Sequence, residues 1–243
     1  MEKQISPDSS TFKQSETFAS DDCGLVYIAT KDVYVKAAIL SAKSAREYMG
    51  DRIKIHIWAD LPDLCTESGV FDSIGQIVNP HRRSKVDYLP ETPFQRTLYL
   101  DADTRVVSDI TEMFELLDRF DIAMSHAHRR SGPKSQRQWR REFSTAFPQL
   151  NGGIILYRKT EKVIKFLESW KTAFHEANLG KDQLTLRELL WESDLQIYVL
   201  PPEYNIRYEK YLDVWTEEEA MPKILHMRKF IDELKNEVQA LSK

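Results

Sequence analysis

The feature that most constrains the fold is a pair of short apolar runs, Leu25-Val26-Tyr27-Ile28-Ala29 and Ile53 to Ala59, separated by one long helical stretch. An apolar run without polar alternation is what a strand covered on both faces requires. The residues between carry a helical pattern, with Asp32 as its expected cap and Val33, Ala37, Leu40, Ala45 and Tyr48 as inward positions. Gly50 stands where a helix is terminated. Parallel strands need a crossover of this length, so strand, helix, strand points to a parallel sheet. Further strands are expected at 76–78, 97–100, 122–124, 153–157, 197–199 and 224–225. Helices are expected at 113–117, 161–177, 182–191 and from 231 onward. The fold class that follows is α/β, a mixed but mainly parallel central sheet flanked by helices.

Length and charge narrow the function. At 243 residues the chain suits one α/β domain. Residues 1–22 are polar and Ser/Thr-rich, and read as a disordered tail ahead of a single domain over 23–243 that ends in a helix. A formal net charge of -4 does not indicate binding to nucleic acid. Cys23 and Cys65 make neither a disulfide framework nor a paired zinc spacing, which suits a reducing compartment. No apolar run approaches the ~20 residues of a membrane span, and the N-terminus lacks a signal-peptide core. A cytoplasmic location is the expectation.

The sharpest chemical feature is Leu98-Tyr99-Leu100-Asp101-Ala102-Asp103-Thr104. A buried strand ends directly in two carboxylates, and open α/β sheets bind ligands beyond the carboxyl ends of their strands. Carboxylates two residues apart in extended chain project to one side, and paired anionic oxygens suit Mn²⁺ or Mg²⁺ bridging to phosphate. The same two residues are also what a polar turn would carry. Leu150-Asn151-Gly152-Gly153 precedes another apolar strand, with no side chain at 152 or 153 to block a ligand. Asp182-Gln183 opens a helix after Gly180, and His226 ends the strand at 224–225. Lys85 lies in a basic turn, Arg82-Arg83-Ser84-Lys85, and Arg96 precedes the acidic strand end, where it could reach phosphate or cover the helix layer. Nucleotidyl transfer also uses paired carboxylates, but its glycine-rich phosphate loop is missing after the first strand: residues 29–35 contain no glycine.

The order Thr30/Tyr34, Asp101/Asp103, Asn151/Gly153, Asp182/Gln183, His226 resembles the nucleotide-sugar glycosyltransferases of the GT-A fold, in particular the glycogenin and galactosyltransferase-like group and the nucleotide-diphospho-sugar transferases. The resemblance implies a Rossmann-like GT-A domain that transfers a sugar from a nucleotide-diphosphate donor, a UDP-sugar, to a glycan, protein or small-molecule acceptor. It implies Asp101, Asp103 and His226 as metal ligands. It implies Thr30 and Tyr34 at the nucleotide base, and Lys85, Asp101, Asn151, Gly152 and Gly153 on the donor. Asp182 and Gln183 would face the reacting carbon, with retention of its configuration. Three departures stand out: Lys31 replaces a usual Asn, and after His226 the usual glycine and phosphate-binding lysine are absent, leaving Arg228 and Lys229 nearby. The basic stretch 126–141 suits a lid, an acidic-acceptor site or a solvated loop, and the same fold could also serve as a non-catalytic binding module.

Overall fold

The structure, a computed structural model, describes residues 22–241. At its centre lies β1 (Cys23–Ala29), buried along its whole length. Leu25 and Tyr27 face one apolar cluster, Val26 and Ile28 the other, as strand alternation dictates. After β1 the chain continues through α1 (Asp32–Met49), β2 (Lys54–Ala59), α2 (Pro62–Ser68), β3 (Ser73–Gln76), α3 (Lys85–Tyr88), β4 (Arg96–Leu100) and β5 (Thr104–Val106). There follow β6 (Ile122–His126), α4 (Pro133–Gln136), β7 (Leu150–Arg158), α5 (Glu161–Ala177) and α6 (Asp182–Glu192). The chain closes with β8 (Ile197–Val199), α7 (Glu217–Ala220), β9 (Ile224–His226) and α8 (Lys229–Leu241).

Seven strands form one sheet in the order β3-β2-β1-β4-β7-β6-β8. The first four pair in parallel, whereas β7 runs antiparallel to both β4 and β6. That reversal positions the site. Because β7 points the other way, its opening residues stand beside the end of β4, with Ile154 paired to Leu100 and Asp101 N donating to Gly153 O at 2.7 Å. β5 and β9 form a separate antiparallel ribbon that sets Thr104 opposite His226. The α1 side of the sheet holds Val35, Ala38, Ile39, Ala42 and Met49; the other side holds Phe166, Trp170, Leu186 and Leu190 of α5 and α6.

Several expectations need correction. On α1, Leu40 and Tyr48 are exposed and Val33 is half-buried, while Val35, Ile39, Ser41 and Met49 are buried. The helix touches β5 and α8 as well as the sheet, and those neighbours rotate the buried arc. Asp32 does not cap α1. It is the first helical residue, and Lys31 at the cap position takes φ 74°, a left-handed conformation rare outside glycine. Both oxygens of Asp60 accept from Lys31 N, at 3.0 and 2.9 Å, and hold that backbone in place. β3 lies a few residues earlier than expected, with Ile77 N still bonded to Ala59 O. Residues 111–118 form a 3₁₀ rather than an α-helix. His226 ends a strand of the small ribbon, not of the core sheet. The expected tail at 1–22 lies, apart from Asp22, outside the described residues. Among those described, no helix is long and apolar enough to cross a membrane.

Candidate active site

The eleven residues singled out above line one cleft of 440 Å³ beyond the carboxyl ends of β1 and β4. Thr30 follows β1, Tyr34 sits in the first turn of α1, and Asp101 follows β4. Asn151, Gly152 and Gly153 open β7, Asp182 and Gln183 open α6, and His226 closes β9. Arg96 is not among the lining residues. It sits at the opposite end of β4, donating to Phe114 O and pairing with Asp118 at 2.7 Å.

Asp101, Asp103 and His226 each offer one ligand atom, and these atoms lie within 4.8 Å of one another. His226 Nε2 is 3.1 Å from Asp103 Oδ1 and 3.6 Å from Asp101 Oδ2. The ring is oriented from behind. Its Nδ1–H donates to Asn205 Oδ1 at 2.9 Å, which turns Nε2 toward the carboxylates. The backbone stitches the parts together: Met227 N donates to Asp103 O at 2.9 Å, and His226 N to Ile206 O at 2.8 Å. A carbon on Gly153 would lie 2.2 Å from His226 Cε1 and 2.5 Å from Asp101 Oδ2. Glycine is required there for the cluster to close.

Burial alone would raise Asp101's pKa, but Lys85, His226 and Tyr99 hold it well below the usual carboxylate range. Asp103 is likewise lowered against its burial, chiefly by His226. Burial disfavours a charged His226, yet Asp103 and Asp101 outweigh it and raise the ring's pKa. A proton and a divalent cation would compete for the same Nε2 lone pair. Two carboxylates and one imidazole, backed by Asn205, make a donor set that fits Mn²⁺ or Mg²⁺ with room for phosphate oxygens.

A second cluster, His81, Asp87 and His175, also brings ligand atoms within 4.8 Å, but its hydrogen bonding differs. His81 Nδ1 accepts from Arg83 N at 3.2 Å, so the neutral ring carries its proton on Nε2 and gives it to Asp87. His175 Nε2 lies 2.7 Å from the other oxygen of Asp87. This is a hydrogen-bonded staple between α3 and α5, with no lone pair turned inward at His81.

Lys85 does not lie on a solvated turn. It is 6% exposed, donates to Gly152 O at 2.6 Å and Asp101 Oδ1 at 3.2 Å, and has Asp182 Oδ2 at ion-pair distance, 3.2 Å, without hydrogen-bond geometry. Those acids keep its ammonium charged despite burial, which opposes them. Asp182 is no helix cap: it faces Lys85 and Arg83, the latter at 3.4 Å. Gln183 Nε2 donates to Leu150 O at 2.9 Å, and Asn151 Oδ1 accepts from Gly153 N at 3.0 Å. The sequence reading passed over Asn205, Arg207 and Tyr99. Arg207 lines the cleft with its Nη1 buried and unpaired, and Tyr99 donates to Asp101 Oδ1 at 2.5 Å. A Tyr two residues before the first aspartate was a usable signal; the other two had none beyond their residue type.

The sequence model of the nucleotide-diphospho-sugar transferase family matches residues 96–238. The chain belongs to that family. In this nucleotide-diphospho-sugar transferase the match runs from β4 into α8 and takes in every candidate metal ligand. Among solved structures, the glycosyltransferase GlyE of Streptococcus pneumoniae TIGR4 is 17% identical with a TM-score of 0.62, covering 86% of this chain. The chain spans only 54% of GlyE's length. The galactosyltransferase LgtC, solved with donor and acceptor sugar analogues, is 16% identical with a TM-score of 0.59, covering 88% of this chain and 95% of that one. Mouse xyloside xylosyltransferase 1 is 13% identical, with a TM-score of 0.55 and coverages of 84% and 97%. These likenesses show the shared GT-A fold. No curated protein sequence matches the chain.

Proposed function

We propose that this family member transfers a hexosyl group from a UDP-sugar to an acceptor hydroxyl, with Mn²⁺ or Mg²⁺ held by Asp101, Asp103 and His226. The observation that carries the proposal is the convergence of those three side chains in the cleft, with Asn205 turning His226 Nε2 toward the carboxylates. In this reading residues 23–243 act as one catalytic domain.

A divalent cation bound there supplies Lewis acidity to the diphosphate oxygens as the sugar–phosphate bond breaks. The chain's own residues do the rest. Thr30 and Tyr34 form the nucleoside end of the cleft. Gly152 and Gly153 admit the donor close to the backbone, and Asn151, its Oδ1 tied to Gly153 N, offers its amide N–H groups to sugar hydroxyls. Arg207 and Arg228 line the cleft without ion-pairing to any carboxylate in it, and add fixed positive charge for the departing diphosphate. Lys85 and Tyr99 lock the rotamer of Asp101.

Retention at the sugar carbon is supported by the state of the acids. An inverting attack needs a base that takes the acceptor's proton. Each of the three carboxylates lining the cleft already faces a cationic side chain: Asp101 and Asp103 face His226, and Asp182 faces Lys85 and Arg83. Asp182 and Gln183 are placed to steady positive charge on the sugar, rather than to deprotonate its attacker.

The test is a panel of UDP-, GDP- and ADP-sugars with and without Mn²⁺, read as nucleoside diphosphate release. Metal-dependent release from a UDP-sugar, reduced at least ~100-fold in an Asp101→Asn, Asp103→Asn double variant, is expected. No release from any donor, with no metal-dependent rise in Tm, would leave a non-catalytic binding module on the same fold.

A further inference from the structure

Immediately after Arg207, the chain leaves the cleft wall and lays out a run of rings: Tyr208, Tyr211 and Trp215. Tyr208 and Tyr211 lie 6.4 Å apart, and Tyr211 stacks on Trp215 at 6.2 Å with planes 21° apart. His128, from the loop after β6, closes against Tyr208 at 4.4 Å and Tyr211 at 5.5 Å. Lys210 Nζ sits 6.0 Å and 5.3 Å from the two tyrosine ring centres. Tyr208 is 41% exposed, and Tyr211 and Trp215 are half-buried. None of these rings belongs to either apolar core cluster. Exposed aromatics held by one another, rather than by the core, are an unusual use of apolar surface and mark binding sites.

The position of the cluster limits its occupant. Lys229, next to the cleft residue Arg228, pairs with Glu209 and ties this segment to the start of α8. At its other edge, His128 feels the charge of Lys210 and Arg207, which with its own burial lower its pKa. The platform is therefore continuous with the cleft through Arg207, on the side of Asp103 and His226.

We propose that Tyr208, Tyr211 and Trp215, with His128, form the acceptor subsite, and that the acceptor is a carbohydrate. This rests on the glycosyl-transfer reading for its place in the reaction. One face of a pyranose carries C–H bonds of slight positive charge that lie flat on electron-rich rings, while its rim of hydroxyls needs hydrogen-bonding groups. The segment interleaves the two: Tyr208-Glu209-Lys210-Tyr211-Leu212-Asp213 alternates rings with charged side chains. The transfer forms a bond from an acceptor hydroxyl oxygen to the donor's anomeric carbon and breaks that carbon's bond to the diphosphate. The acceptor's proton leaves with the diphosphate.

The experiment is saturation-transfer difference NMR on the full chain without donor or metal, using lactose, maltose, cellobiose, xylobiose and chitobiose as probes. At least one is expected to give signals concentrated on the C–H protons of one sugar face. The signals fall at least fivefold in Tyr208→Ala, Tyr211→Ala and are kept in Tyr208→Phe, Tyr211→Phe, with thermal melting confirming that both variants fold. In transfer assays the Ala pair raises the KM for that sugar at least tenfold, while the KM for donor changes less than twofold. Absence of signal from all five sugars, or an undiminished signal in the Ala pair, overturns the platform. Because binding here needs neither donor nor metal, that outcome leaves metal-dependent donor cleavage standing. Sugar binding without donor cleavage would sink the transfer reading instead.

Discussion

Substituting Gly153 by Ala should disable the metal site without unfolding the chain. The added carbon would meet His226 Cε1 at 2.2 Å and Asp101 Oδ2 at 2.5 Å, whereas carbon atoms rest at about 3.5–4.0 Å. The imidazole must then retreat by more than about an ångström. It has little room, being 2% exposed and bonded through Nδ1 to Asn205. A misplacement of about 1 Å in a reacting constellation costs on the order of 10²-fold, or about 2.7 kcal/mol. Gly152→Ala is the matched control: its new carbon would find Asp182 Oδ2 and Lys85 Nζ at 3.6 Å and Leu186 Cδ2 at 3.7 Å, all ordinary contacts. Free-ion EPR during a Mn²⁺ titration reads the affinity directly. We expect Gly153→Ala to weaken Mn²⁺ at least ~50-fold and Gly152→Ala to stay within about threefold, both with near-native melting curves. Wild-type Mn²⁺ affinity in Gly153→Ala would refute the reasoning, because the cluster would then not need the space that glycine leaves.

Asn205→Leu removes the acceptor for His226 Nδ1–H and should lower Mn²⁺ affinity about 10- to 100-fold, as read by the same titration. Glu188, fully buried on α6, accepts from Arg140 N at 3.0 Å and Arg140 Nε at 2.9 Å. Glu188→Gln should cost about 1–2 kcal/mol, the arginine being half exposed, and should raise amide hydrogen exchange across 127–149. His56 predicts an acid-sensitive stability. Burial pushes its pKa down to about 4, and its Nε2 has no partner. As pH falls from about 6.5 toward 4, the unfolded chain takes up this proton before the folded chain does, so stability declines across that window, by on the order of 3 kcal/mol in full. The loss of Tm between pH 7 and 4.5 should be smaller in His56→Leu than in the wild type, and equal losses would contradict this assignment.

How much of this was legible beforehand depended on what each residue answers to. β1, β4 and α5 were readable because a buried strand is an apolar run and an amphipathic helix has one stripe. The chemistry at strand ends was readable because Asp101 and Asn151 directly adjoin such runs. The direction of β7 was not, since an apolar strand looks the same whichever way it runs. The buried arc of α1 was misjudged because β5, three residues long, left no pattern to show that it would cover Ser41 and Ser44, which it does through Thr104 Oγ1 and Val106 N. The basic stretch at 126–141 showed its charge but not its partners. Arg140 and Arg141 are held by Glu188 and Glu192, some fifty residues on, so that part is anchored to α6. His226 was singled out on type and place, while the residue that aims it, Asn205, lay 21 positions away with nothing to connect them.

The central claim is that one divalent cation sits between Asp101, Asp103 and His226 beneath the diphosphate. Crystals grown with Mn²⁺ and UDP, measured at the manganese absorption edge, test it most directly. The account predicts an anomalous peak within about 2.5 Å of a ligand atom from each of the three side chains and in contact with the diphosphate oxygens. A peak confined to His81, Asp87 and His175, or diphosphate bound in the cleft with no peak beside Asp101, would contradict it.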